Sequence, residues 1–224
     1  MENINVNSRR KFLGTLAATA SMSSVGTAVF AEEINGNSTK FIHEADEWFK
    51  KIKGSHRVVY DGSTPHDGFA IIWNWAFYLS NNQTGSEDSD ITAMSVLRHS
   101  AIPFALKSEL WEKYNLGEFF GVMDNKTQKP SLRNPYYEPQ EGDFPVPIIQ
   151  GIKELQARGA MFCVCDLALS VYGGAKAQQI GEDATTVYEE WKNGVLPGIQ
   201  IVPSGVWALG RAQENGCGYI FAGN

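Results

Sequence analysis

From Arg57 to Phe221 the sequence alternates strand-like and helix-like runs, and that alternation limits the fold more than any other feature. Arg57–Asp61, Ile91–Leu97, Ala160–Cys165, Gly198–Val202 and Gly218–Phe221 are short and apolar, with the branched and aromatic residues that strands favour. Helical patterns lie between them. Gly68–Leu79 is apolar nearly all round, as in a buried helix, and Ile102–Tyr114 follows the second strand. Pro147–Arg158 carries Ile148, Ile149, Ile152 and Leu155 on one side, and Leu167–Tyr172 runs into Gly173-Gly174. Thr185–Lys192 and Gly205–Glu214 complete the set. Such alternation predicts an α/β domain over residues 57–224, with a mainly parallel sheet covered by helices on both faces. Right-handed crossovers then bring every strand's carboxyl end to one edge, where ligands of such sheets bind.

Residues 1–31 read differently. Arg9-Arg10-Lys11-Phe12-Leu13-Gly14 precedes a weakly apolar run rich in Ala, Ser, Thr and Gly, which ends at Val29-Phe30-Ala31. This is the pattern of a twin-arginine signal peptide with a cleavage site, and it predicts delivery to the periplasm. No stretch of eighteen apolar residues is uninterrupted, so no permanent membrane anchor is expected. Residues 32–56 form an arm with Ile42, Ala45, Trp48, Phe49 and Ile52 on one helical face. The segment 119–144 holds Pro130, Pro135, Pro139, Tyr136 and Tyr137 without a clear period, and is expected to be an insertion loop: a lid or partner surface that can be excised.

With 43% hydrophobic and 20% charged residues the chain is one that folds. Its formal charge of -6 includes a basic leader, so the domain itself is more acidic still. An acidic surface without a basic stripe repels phosphates, and nucleic acid is not an expected partner.

Four loops put polar or nucleophilic groups just after strands: His66, then Arg98 and His99, then Cys165, then Ser204. Cys165 is the focal candidate, because a thiolate at a helix start near cationic groups ionises more readily. Asp166, next to it, works the other way. Cys163, two residues earlier, is expected to face the same way one step deeper, as a core thiol. Cys217 is the third of three cysteines, an odd total that leaves at least one thiol unpaired even if Cys217 forms a disulfide. His66, His99 and Cys165 include no close-spaced ligand pair, so neither a metal nor another cofactor is expected. Gly62-Ser63-Thr64-Pro65 lacks the spacing of a phosphate loop, and G-x-S-x-G does not occur.

The run Gly151-Ile152-Lys153-Glu154-Leu155-Gln156-Ala157-Arg158-Gly159, with Cys163-Val164-Cys165 after it, resembles the DsrE/DsrF-like family of sulfur-relay proteins, especially its exported branch. So do Leu196-Pro197-Gly198-Ile199-Gln200-Ile201-Val202-Pro203-Ser204-Gly205, Gly218-Tyr219-Ile220 and Val96-Leu97-Arg98-His99-Ser100-Ala101-Ile102-Pro103-Phe104-Ala105. The resemblance implies a three-layer sandwich around a five-stranded sheet whose first three strands are neighbours. It also implies that Cys165 matches the position at which the family's carriers accept a persulfide.

The expectation is therefore a periplasmic protein that carries or exchanges sulfane sulfur on Cys165, as a carrier rather than a turnover enzyme. Arg98 and His99 would stabilise the thiolate and His66 would handle a proton. Its expected partners are a sulfur-donor or acceptor protein and further copies of itself. A second reading stays open: a non-catalytic module that uses the same groove to bind a small ligand or metal, or to assemble.

Overall fold

The structure, a computed structural model, describes residues 44–224. The expected twin-arginine leader and the first part of the arm lie outside the described residues. The elements are α1 (44–49), β1 (His56–Gly62), α2 (Phe69–Gln83), β2 (Ile91–Leu97), α3 (Ser108–Tyr114) and α4 (Leu116–Phe120). They continue with α5 (Ile152–Arg158), β3 (Met161–Cys165), α6 (Asp166–Ile180), α7 (Ala184–Asn193), β4 (Ile199–Val202), α8 (Gly205–Glu214) and β5 (Gly218–Phe221).

All five strands pair in parallel, in the order β4-β3-β2-β1-β5. The alternation in the sequence thus gives the expected α/β fold, with the first three strands side by side. Every residue of β2 is buried, as a central strand covered on both faces requires. One face carries a large apolar layer that includes Ile71 and Tyr78 of α2, Trp111 of α3, Leu155 of α5, Leu169 of α6 and Trp191 of α7. On the other face Ala45, Trp48 and Phe49 of α1 meet Ala208, Leu209 and Ala212 of α8 over Val59, Met94, Val96 and Cys163. The described part of the arm therefore belongs to the core. At the β5 edge Tyr219, Ile220 and Phe221 are all more than two-fifths exposed. Among the described residues no helix is long and apolar enough to cross a membrane.

Several sequence expectations are corrected. The helix over Ile102–Tyr114 is a 3-10 turn, His99–Ala105, followed by α3. Residues 105–107 are drawn out of helical form because they bond to the 194–196 segment, through Leu196 N–H to the Ala105 carbonyl and Lys107 N–H to the Gly194 carbonyl. The helix over Pro147–Arg158 begins only at Ile152, and Ile148 is exposed. Tyr136 and Tyr137 supply carbonyls to the Ile152 and Lys153 N–H groups, filling the start of α5 with strap backbone. Gly173-Gly174 does not stop α6, which runs on to Gly181 in the left-handed region.

The segment 119–144 packs into the core. Tyr136 and Phe144 lie in the main core, stacked 5.1 Å apart, and Asn134 donates from a buried site to the Phe104 and Leu106 carbonyls. The segment lacks a period because it is a strap, held by individual side chains rather than by a helical or strand face. Gly68 sits beneath it at φ +77, where a Cβ would lie 2.6 Å from the Tyr136 ring.

Candidate functional site

Three loops meet at the carboxyl edge of the sheet. Cys165 ends β3 and caps α6, its sulfur accepting the Ala168 N–H at 3.3 Å. The sulfur therefore sits at the N-terminus of α6, at the positive end of that helix's dipole. The Gly205 backbone at the start of α8 also favours its anion.

Arg98, just past β2, brings the cation. Its Nε and one terminal nitrogen bond the two oxygens of Asp61 at 2.6 and 2.9 Å, the two-pronged geometry suited to a carboxylate. Asp61 is 2% exposed, and Tyr219 on β5 donates its hydroxyl to the same carboxylate at 2.8 Å. The Asp61 bond holds the Arg98 guanidinium even more firmly protonated than usual. Because Gly205 has no side chain, Arg98 lies against the first residue of α8: a Cβ there would fall 2.5 Å from the Arg98 Cβ.

The opposing influences on the thiol can be ranked. Burial dominates and pushes the Cys165 thiol up, with the Asp166 carboxylate adding to it; the Gly205 and Ala168 N–H groups and Arg98 pull it down. The resting group at neutral pH is thus the thiol, in a setting with donors ready for an anion. Cys163 is fully buried and pushed much further up. It packs in the α1–α8 layer, whereas Cys165 touches the opposite layer, so the expected common facing does not hold. Cys165 keeps extended backbone and still pairs with Val202, but as the cap of α6 its sulfur turns to the Ala168 N–H. Cys217 is a buried free thiol pushed up to about 11 by burial; all three cysteines are free.

The two histidines occupy the same edge with partners of their own. His99, at φ +50, meets the Tyr172 hydroxyl through Nε2 at 3.1 Å and Ser100 Oγ through Nδ1 at 3.2 Å. Burial holds its imidazole below the ordinary range, against a hydrogen bond to the Ser63 carbonyl, and Arg98 lowers it further. His66, at φ +39, donates from Nδ1 to the Ala222 carbonyl at 3.1 Å, since a carbonyl only accepts. Its ring lies against Phe69 and Trp73. Ser204 caps α8, its hydroxyl accepting the Trp207 N–H. Of the sequence candidates, then, Arg98 acts on Cys165 directly. Among the described residues no three His, Cys, Asp or Glu side chains are grouped to hold a metal ion.

Asp61, Tyr219 and Tyr172 were not singled out from the sequence. The available signal was slight: an aspartate at the end of an otherwise apolar strand, in line to be buried.

No protein-family model matches this chain, and no curated protein sequence does. Among solved structures it is similar to MTH1491, a protein of unknown function from Methanobacterium thermoautotrophicum. The two are 18% identical, with a TM-score of 0.38 over 75% of this chain and 99% of the other. By its own architecture the chain is an α/β protein built on a five-stranded, all-parallel sheet flanked by helices.

Proposed function

We propose that this protein is a DsrE-like sulfur carrier, exported to the periplasm by the twin-arginine route, which holds sulfane sulfur on Cys165. The observation that carries the reading is the Cys165 sulfur at the start of α6, accepting the Ala168 N–H, with the Gly205 backbone and Arg98 also favouring its anion. In the transfer step the thiolate attacks the outer sulfur of a donor persulfide. The donor's S–S bond breaks, its electron pair leaves on the donor sulfur, and the proton given up by Cys165 ends there. The products are a Cys165 persulfide and a donor thiol, with no oxidant consumed.

A persulfide is a stronger acid than its parent thiol. The loaded form is therefore the one that can be an anion at neutral pH, and the two N–H donors and Arg98 favour that anion. Burial keeps the empty thiol protonated and guards it from adventitious oxidation. The donor or acceptor is a protein, and the carrier works in copies of itself.

Mass spectrometry of the folded protein after incubation with a sulfane-sulfur donor tests this. One added sulfur atom on the peptide containing Cys165 is expected, and its absence overturns the carrier reading. The alternative in that event is a binding module that takes a small ligand at the strand carboxyl ends.

A further inference from the structure

We propose that Asp61 is a positioning residue, which with Tyr219 and Gly205 fixes the Arg98 guanidinium at the strand end next to Cys165, where Leu97 of β2 pairs with Val164 of β3. The inference rests on Cys165 being the group that reacts. Arg98 is long, and its side chain is a quarter exposed. Left alone, such a side chain spreads over many rotamers and drifts toward water. Three contacts prevent that. The two-pronged Asp61 bond fixes the plane of the guanidinium, at 2.6 and 2.9 Å. The Tyr219 hydroxyl, at 2.8 Å, holds the carboxylate from the neighbouring strand. The bare Cα of Gly205 lets the stem lie flat on the start of α8.

The charged groups acting on the sulfur are Arg98 from the end of β2 and Asp166 from α6, while Cys165 itself raises the Cys163 thiol. α8 contributes only its Gly205 N–H. Asp61 acts through Arg98, and that separates two outcomes by sign. If Asp61 positions Arg98, its loss moves the cation away and makes the thiol less acidic. If it merely neutralises Arg98, its loss exposes the full charge and makes the thiol more acidic.

The test is the rate of Cys165 alkylation against pH, read on the Cys165 peptide by mass spectrometry. Asp61→Asn keeps the shape but sets an amide donor against a guanidinium donor. It is expected to raise the midpoint by about one pH unit. Arg98→Lys should match it, since an ammonium cannot make the two-pronged contact. Tyr219→Phe should give a smaller rise. An unchanged or lowered midpoint in Asp61→Asn overturns the proposal. Should that variant fail to fold, Tyr219→Phe on the exposed edge strand decides, and an unmoved midpoint there overturns it too. A Cys165 inert at every pH removes this inference and the carrier reading together. If instead the unaltered protein labels but never loads sulfur, only the carrier reading falls and the midpoint shift still stands.

Discussion

At the residue scale, Cys165 is a thiol whose burial and whose donors oppose each other, and Cys163 is one with burial alone. Their serine variants should separate cleanly. Cys165→Ser is expected to abolish sulfur loading while the urea midpoint stays nearly fixed. Cys163→Ser should load normally but lose about 1–3 kcal/mol, because a hydroxyl replaces a fully buried thiol without a partner. His99 makes a second expectation, with its sign set by burial. Its imidazole is held below the ordinary 6.5, so the unfolded chain binds the proton more tightly. Its contribution to stability is complete above the unfolded value and is lost as pH falls from there through the lower folded value. Urea midpoints measured between about pH 7 and about pH 5 should fall in the parent protein, and fall less in His99→Gln. Cys165 and Arg98 were legible as a site because each directly follows a strand. Asp61 and Tyr219 were not, since the hydrogen bond between them joins positions 158 residues apart and leaves no local pattern.

At the scale of elements, the five strands were legible because β-branched and aromatic runs between glycines leave little else to form. The helices misread share one cause. Where Ala105 and Lys107 or the starting turn of α5 found carbonyl and N–H partners in a distant segment, those contacts outweighed the apolar period of the sequence. The 119–144 strap is the clearest instance, and its weight can be measured. Tyr136→Ala should destabilise the protein by about 3–5 kcal/mol, the range for emptying a buried aromatic site. Denaturant unfolding of that variant checks it: a loss below about 1 kcal/mol would return the strap to the surface.

At the scale of the whole molecule, export and folding meet. The twin-arginine route carries folded proteins, and the expected leader is tested by changing Arg9 and Arg10 together to Lys. The double variant should remain as precursor in the cytoplasm, detected by fractionation and blotting; normal periplasmic delivery would remove the export reading. The pairing of β1 with β5 bears on the order of events. The Tyr219–Asp61 bond closes a span of 158 residues, and contacts so remote in sequence form slowly. The thiol's surroundings are thus expected to be complete only once β5 has paired with β1. A chain stopped before β5 holds Asp61 by Arg98 alone, and the chemistry of Cys165 becomes a clock for folding: its mature reactivity arrives with the closing strand.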